Sequence, residues 1–274
     1  MPDYATVSEL IADDIVQGVS LTGSTGVGRH IGAEAGRNLK KVVLELGGSD
    51  PFIVLDDADV EFTAQGAVTG RMLTAGQSCI ASKRFIVAES IAGDFTTRFT
   101  ELMHAMKVGD PTDEATQVGA LVNEAAIIEL EEQLEQSVAL GARVLCGGKR
   151  LPGKGCFFPP TVVSGCRPGM RLVDEEVFGP IAPIITVADD AEAIALANAS
   201  EFGLGGSVWT RNLERGGAVA LEVESGTLFV NSITKSDPRM PFGGVKNSGI
   251  GRELSHYGLK EFINVKGVSV YKHG

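Results

Sequence analysis

The chain has 274 residues, of which 43% are apolar and 22% charged, and its formal net charge at pH 7 is −11. This length can bury the core of one large or two smaller domains, and the composition is that of a folded protein rather than a disordered one. The acidic balance argues against nucleic acid and anionic membranes as partners, because both attract basic surfaces. No apolar run reaches the roughly 20 residues that a membrane helix requires.

The opening segment, MPDYATVSELIADDIVQG, lacks the basic start and the apolar core of a secretory signal. The cysteines and histidines show no C-x-x-C pair and no other metal-ligand spacing, and a chain of this size needs no disulfide framework. We therefore expect a cytoplasmic protein with reduced cysteines and no metal.

The N-terminal part predicts a helix at 4–16, a strand at 16–24 that ends in a glycine turn, a helix at 27–39 and a strand at 40–48. This order is half of a βαβ arrangement. Two parallel strands cannot cover their own sheet, so we expect that the chain begins inside a domain and that preceding residues complete it.

Further along the chain the pattern still alternates between helices and strands, which predicts an α/β fold. The expected helices cover 59–75, 91–106, 122–140 and 190–199, and the expected strands or extended segments cover 51–57, 83–89, 142–148, 157–165, 181–188, 205–210, 226–230 and 262–271. The turn-rich passage 231–250 is too long for a simple connection, and loops of this length are often functional.

Three turns carry candidate functional groups. LTGSTGVGRHIG (21–32) lies between a strand and a helix, where backbone N–H groups can hold a phosphate, although a purely structural glycine turn fits equally well. LELGG (44–48) places Glu45 at a strand end, either solvated or in a cleft where burial would raise its pKa toward the range of a general base. EEVFGP (175–180) offers a carboxylate for a ribose, or is simply a capped turn.

Cys79 lies in AGQSCIAS (75–82), among small and polar neighbours that are unlike those of a core cysteine. The alternatives are a small buried side chain or a nucleophile, and a nucleophile needs surroundings that favour the thiolate. We assign Cys146, Cys156 and Cys166 to the first role.

Five motifs resemble, in order, those of the aldehyde dehydrogenase superfamily: TGS (22–24), ELGG (45–48), GQSC (76–79), EEVFGP (175–180) and PFGGVKNSGIGRE (241–253). The separations of 34 residues from Glu45 to Cys79 and of 97 from Cys79 to Glu176 are also similar to those of the family. The resemblance extends over essentially the whole chain.

This resemblance implies a domain organisation. Residues 1–46 would be the C-terminal remnant of a Rossmann-type dinucleotide-binding domain, 47–250 a complete α/β catalytic domain, and 251–274 a helix and strand segment. In the family a similar last strand pairs across subunits, which implies a homo-oligomer, a dimer or tetramer, for the complete enzyme. NAD or NADP would be the cofactor.

The resemblance also implies the roles of individual residues. Cys79 would be the nucleophile that carries the acyl group, and Glu45 the general base that activates water to hydrolyse it. The cofactor would be bound by Gly23, Ser24 and Gly28 at the pyrophosphate, by the backbone carbonyl of Leu46 at the nicotinamide amide, and by Glu176 at the ribose with Phe178 beside it. Neither the attack by Cys79 nor the hydrolysis assisted by Glu45 would need a metal.

The segment KSDPRMPFGGVKNSGIGRELSHYGLKEF (235–262) is similar to bacterial succinate-semialdehyde dehydrogenases, which implies oxidation of a small aldehyde, succinate semialdehyde, to succinate. Ser236 and Arg239 would bind the far carboxylate, although a structural ion pair explains Arg239 equally well. The alternatives are another semialdehyde or an aliphatic aldehyde as substrate. A CoA-dependent acylating enzyme is disfavoured, since Glu45 supplies a base for hydrolysis.

The family's N-terminal features, including the asparagine of its oxyanion hole, have no counterpart in this sequence. The remaining alternative is therefore an N-terminally truncated, non-catalytic fragment. Losing one oxyanion donor typically costs about 10²–10³ in rate, so this alternative predicts weak or no activity for the chain alone.

Overall fold

Helices and strands alternate along most of the chain in the computed structural model, which describes residues 4–273. Within those residues the helices are, in chain order, Tyr4–Ala12 (α1), Thr25–Arg37 (α2), Val60–Met72 (α3), Glu89–His104 (α4), Glu124–Ala139 (α5), Arg171–Asp174 (α6), Asp190–Asn198 (α7), Leu213–Glu222 (α8) and Ser255–Glu261 (α9). The strands are Gly18–Thr22 (β1), Lys41–Glu45 (β2), Asp50–Val54 (β3), Ser82–Ala88 (β4), Arg143–Cys146 (β5), Thr161–Ser164 (β6), Ile181–Val187 (β7), Phe202–Gly203 (β8), Ser207–Trp209 (β9), Phe229–Val230 (β10), Val245–Lys246 (β11) and Gly249–Ile250 (β12).

The main sheet has the strand order β10-β9-β3-β4-β7-β6-β5, and its neighbours are parallel except for the antiparallel pair β5–β6. Every residue of β3 and β4 is buried, as expected for central strands of a parallel sheet that is covered on both faces. An aromatic cluster joins this sheet to α4. Phe52 stacks on Trp209 with 4.9 Å between ring centroids, and Phe85 packs on Phe99 at the same distance.

A second, smaller sheet has the order β1-β2-β12. The strands β1 and β2 are parallel, and α2 packs against them through Ile31 and Ala35. The antiparallel strand β12 comes from the turn-rich passage and pairs Gly249 with Glu45. Residues of the predicted segment 47–250 therefore complete the sheet of the predicted segment 1–46, while the domain division itself stays a prediction.

The α/β prediction is confirmed, and most predicted elements lie within a few residues of the observed ones. Two helices end at least three residues earlier than predicted. The first helix ends at Ala12, because the Asp13 carboxylate accepts a hydrogen bond from the Ile15 N–H and begins a turn. The third predicted helix ends at Met72, because Thr74 and Ala75 adopt left-handed conformations with φ of 51° and 55°.

The predicted strand at 262–271 is wrong for the described chain. These residues belong to no strand of the structure, and their apolar side chains lie in solvent, with Val265 92% and Val270 89% exposed. A strand is defined by hydrogen bonds to a neighbouring strand, and the alternating apolar pattern of the segment does not by itself supply that neighbour.

Because the central strands of the main sheet are parallel, all their amino ends lie along one edge of the sheet and all their carboxyl ends along the opposite edge. The segments that precede β3, β4 and β7 lie at one edge and contain Gly48, Cys79 and Phe178. The segments that follow the same strands lie at the opposite edge, where Arg215 forms ion pairs with Asp56 and Asp190. Cys79, Glu176 and Phe178 are therefore collected at the amino ends of the main-sheet strands.

Candidate functional site

A cavity of about 530 Å³ lies where the two sheets meet. It brings together residues that are far apart in sequence: Thr22, Gly23, Ser24, Leu46, Gly47, Gln77, Ser78, Cys79, Glu176 and Phe178. Six of the residues for which the sequence predicted a role therefore line a common cavity: Gly23, Ser24, Leu46, Cys79, Glu176 and Phe178.

Cys79 is a partly buried free thiol on the short loop that precedes β4. Burial raises the pKa of this thiol, the positive charge of Lys83 opposes that shift, and the carboxylates of Asp50 and Glu176 add to it. The loop passes very close to the turn that carries Glu176, since a Cβ at Gly76 would lie 2.2 Å from the Gly179 carbonyl oxygen. The position therefore requires glycine.

Buried cations connect the same loop to the Glu176 turn. The guanidinium of Arg71, on α3, donates from Nη2 to the carbonyl oxygens of Gly76 at 2.8 Å and Val177 at 3.3 Å. Lys83, on β4, also donates to the loop. Sequence reasoning did not assign a role to either side chain. The signal that was available is a pair of charged residues, Lys83 and Arg84, inside an otherwise apolar strand.

Glu45 is the last residue of β2 and is buried, with 4% of its surface exposed. Neither carboxylate oxygen has a hydrogen-bond partner among the described residues. Burial, followed by the charge of Glu253, raises the pKa of Glu45 to about 8, and Arg252 opposes the shift. The carboxyl group does not itself line the cavity, whereas the next two residues do.

Glu176 faces the cavity from the turn before β7. Its Oε1 accepts a hydrogen bond from the Gly48 N–H at 2.9 Å and lies 3.7 Å from Lys83 Nζ. A Cβ at Gly47 would lie 2.5 Å from Oε2, so the absence of a side chain there leaves room for the carboxylate. Phe178 is 43% exposed and presents its ring at the cavity.

The turn after β1 meets this cavity at the start of α2. Ser24 is the N-cap of the helix and accepts a hydrogen bond from the Val27 N–H, while the Gly23 N–H donates to the Glu45 carbonyl oxygen at 3.0 Å. Gly28 lies one turn further into the helix, where a Cβ would be 2.4 Å from the Leu46 side chain. It allows α2 to pack closely on β2 and does not line the cavity.

These features fit the nicotinamide-ribose end of a dinucleotide. The first turn of α2 offers backbone N–H groups to an anion. A carboxylate that lines an open cavity can accept hydrogen bonds from ribose hydroxyls, and the Phe178 ring lies at the same cavity.

The structure does not bring Ser236 and Arg239 to the Cys79 cavity, since neither is among the residues that line it. Both are exposed, and Arg239 forms an ion pair with Asp237, with 2.6 Å between Nη2 and Oδ2. This pairing with a neighbour in the same loop is the alternative that the sequence had left open for Arg239.

Ser248 is a positioning residue that sequence reasoning missed. Its Oγ donates to the Gly47 carbonyl oxygen at 2.6 Å and accepts from the Gly203 N–H at 3.0 Å, and its own carbonyl oxygen accepts from Leu46 N–H at 3.0 Å. Ser248 lies within the PFGGVKNSGIGRE motif and the long turn-rich passage, but neither of these signals assigned it a role.

Within residues 4–273, no group of three or more histidine, cysteine, aspartate or glutamate side chains is arranged to hold a metal ion. In the same part of the chain, no helix combines the length and the apolar character that crossing a bilayer demands.

The Aldehyde dehydrogenase family matches this chain over residues 2–268. The NAD(P)+ succinate semialdehyde dehydrogenase Sad of Escherichia coli K12 is 49% identical over 97% of this chain and 58% of its own length. The NADP(+) succinate-semialdehyde dehydrogenase 1 of Mycobacterium tuberculosis is 48% identical over 96% of this chain and 57% of its own length. The chain thus spans somewhat less than three fifths of the curated relatives it matches.

Solved structures agree with the sequence relatives. Succinic semialdehyde dehydrogenase from Streptococcus pyogenes, in complex with NADP+, matches with a TM-score of 0.96 at 40% identity, covering 99% of this chain and 60% of that one. Betaine aldehyde dehydrogenase from Staphylococcus aureus, in complex with NAD+, matches with a TM-score of 0.89 at 36% identity, over 93% of this chain and 52% of that one. A family match along almost the whole chain, close relatives at nearly half identity and the same fold lead to one conclusion: this chain belongs to the aldehyde dehydrogenase family.

Proposed function

We propose that this chain carries the nucleophile, the base and the nicotinamide-ribose contacts of an enzyme that oxidises succinate semialdehyde to succinate with NAD or NADP. The observation that carries the proposal is the cavity that places Cys79 beside Glu176, Phe178 and the start of α2. The substrate follows from the relatives, whose names state succinate semialdehyde and NAD(P)+ or NADP(+).

The chemistry begins at the Cys79 sulfur. Its thiolate attacks the aldehyde carbon, so that a C–S bond forms and the carbonyl oxygen takes the negative charge of a thiohemiacetal. When bound, NAD or NADP supplies the acceptor for the hydride of that carbon. The acyl group then remains bound to the Cys79 sulfur as a thioester until water attacks it.

Glu45 is proposed to remove a proton from that water. Attack by the resulting hydroxide breaks the C–S bond, releases the carboxylic acid and returns the thiolate, and the proton held by Glu45 then passes to the sulfur or to solvent. A base of this kind works best when its pKa lies near the working pH, and burial raises the pKa of Glu45 to about 8. Glu45 immediately precedes two residues that line the Cys79 cavity.

Ser236 and Arg239 are proposed to contact the far carboxylate of the substrate. A charge-assisted hydrogen bond is the usual way to recognise such a group. Arg239 would have to exchange its contact with Asp237 for one with substrate, whereas the exposed hydroxyl of Ser236 requires no such exchange.

The proposal is tested by mixing the purified chain with succinate semialdehyde and either cofactor, and measuring the absorbance of reduced nicotinamide. A full-length relative is assayed in parallel. Reduction by the relative but not by the chain assigns the activity to the longer protein, and absence of reduction by both contradicts the substrate.

A second assay examines Cys79 and Glu45 without a cofactor. A para-nitrophenyl ester acylates a nucleophilic thiol directly, with no oxidation, and releases coloured nitrophenolate. We expect one equivalent to appear rapidly, followed by steady hydrolysis, and the Cys79→Ser chain to show neither. A burst that persists in Cys79→Ser would contradict the assignment of the nucleophile.

A further inference from the structure

Lys83 is a fully buried charge inside β4, the strand that follows the Cys79 loop. A lysine ammonium has three hydrogens to donate and accepts no hydrogen bond. All three donations are directed at the loop, since Nζ lies 3.0 Å from the carbonyl oxygen of Ser78, 2.9 Å from that of Cys79 and 3.2 Å from that of Ala81. The side chain is thus anchored to the backbone on both sides of the nucleophile.

The backbone that leads into this loop is strained. Thr74 and Ala75 are in the left-handed region, with φ of 51° and 55°, and Gly76 follows with φ of 78°. Non-glycine residues in this region are strained and persist only where surrounding contacts hold them. Arg71 holds the Gly76 carbonyl, and Lys83 holds the carbonyls of Ser78, Cys79 and Ala81.

The charges that face Cys79 come from three neighbouring elements. Lys83 on β4 is the cation that favours its thiolate, while Asp50 on β3 and Glu176 before β7 oppose it. The charge of Arg71, on α3, acts on Lys83 and does not contribute to the shift at Cys79. Burial and Arg71 lower the pKa of Lys83 to about 8, against the effect of both carboxylates, so the ammonium form predominates at neutral pH.

We propose that Lys83 is a positioning residue for the nucleophile, which fixes the Cys79 backbone through its hydrogen bonds and supplies the buried positive charge that stabilises the thiolate. The inference rests on the proposed role of Cys79 as the nucleophile. It adds a second side chain to that role, one that touches neither the cofactor nor the aldehyde and acts through the loop.

The test measures alkylation of Cys79 by iodoacetamide as a function of pH, with the modified peptides quantified by mass spectrometry. Only the thiolate reacts, so the midpoint of the profile reports the pKa of the thiol. Lys83→Gln keeps amide donors for the loop and removes the charge, Lys83→Arg keeps the charge, and Lys83→Met removes both.

We expect the Cys79 midpoint to rise by about one pH unit in the Gln and Met variants, which slows alkylation near neutral pH about tenfold, while the Arg variant stays close to the wild type. Cys146 in the same molecules is the internal reference, and the exposed Lys149→Gln is the matched control. Hydrogen exchange of residues 74–81 should accelerate most in Lys83→Met.

Unchanged Cys79 midpoints in the charge-removing variants would overturn the proposal. If Lys83→Met does not fold, the comparison of Gln with Arg still decides the effect of charge. Failure of the proposed function would appear differently, as a Cys79→Ser chain that still forms the acyl burst, whatever the alkylation profiles show.

Discussion

The protonation state of Glu45 sets the pH at which the proposed hydrolysis can proceed. The group acts as a base only after it loses its proton, and burial raises its pKa to about 8. We therefore expect the steady hydrolysis of a para-nitrophenyl ester to increase with pH up to about 8 and to level off above it. The initial burst should instead follow the titration of Cys79.

Substituting Glu45 separates the two phases. In Glu45→Gln we expect the burst to remain and the steady rate to fall by about 10²-fold or more, because general base catalysis typically contributes 10²–10⁴-fold. The exposed Glu214→Gln is the control, and it should behave as the wild type. Steady hydrolysis that persists in Glu45→Gln with the same pH profile would assign the base to another group.

Substitutions of Ser236 and Arg239 should change the KM for succinate semialdehyde to different extents. In the complete enzyme, Ser236→Ala should raise the KM for succinate semialdehyde about tenfold relative to an aliphatic aldehyde, because one hydrogen bond to a charged group contributes about 1.5–3 kcal/mol. Arg239→Ala should have the smaller effect, since Arg239 is already paired with Asp237. Equal KM changes for both aldehydes would remove Ser236 from carboxylate recognition.

Single residues were predictable where a motif carried them. Cys79 and Glu176 were assigned from their motifs and their spacing, and both line the cavity. Lys83 and Ser248 were not. The contacts of Ser248 join segments that are distant in sequence, and those of Lys83 depend on the direction of its side chain. The hydroxyl of Ser248 meets the Gly47 carbonyl across about 200 residues of sequence, and no local pattern encodes such a contact.

At the scale of elements, α3 approaches the main sheet through a glycine. A Cβ at Gly66 would lie 2.2 Å from the Trp209 ring, so Gly66→Ala must displace the indole or the helix. We expect a loss of about 1–3 kcal/mol in the free energy of unfolding, measured by urea denaturation.

Gly93 on α4 is the matched control, because it is exposed and nothing lies within 4 Å of the position of its added Cβ. Gly93→Ala should stabilise the protein by about 0.5–1 kcal/mol, since alanine loses less backbone entropy in a helix. A neutral or stabilising Gly66→Ala would show that the helix and Trp209 can separate without cost.

Elements were predictable where their residues alternate or repeat over several turns. The strands β3, β4 and β7 each contain a short apolar run, and each was predicted to within a few residues. The two-residue strands β8, β11 and β12 are too short to show a period, and β12 exists because Gly249 and Ile250 meet β2. Their formation depends on tertiary contacts and not on local sequence.

At the scale of the whole molecule, the C-terminal segment leaves a row of exposed apolar side chains. Val268 is 75% exposed, Val270 89% and Tyr271 86%. An extended apolar segment of this kind invites pairing with another strand. We expect the complete enzyme to sediment as a dimer or tetramer, and its Val268→Lys/Val270→Lys double variant to sediment at lower mass.

Leu221→Lys is the control, because Leu221 is 87% exposed on α8, outside the C-terminal segment. It should leave the sedimentation of the complete enzyme unchanged. If the double variant and the wild type have the same mass, the segment takes no part in self-association.

The polarity of the main sheet has a consequence for how this protein can vary. The cavity that contains Cys79 lies at the amino ends of β3, β4 and β7, whereas Arg215 joins the segments that follow β3 and β7. A seven-residue strand such as β7 separates these two edges by about 23 Å. Insertions, or even a fused domain, in the loops at the carboxyl ends would therefore lie far from the thiol, if they leave Asp189 as the cap of α7 and Asp190 as the partner of Arg215.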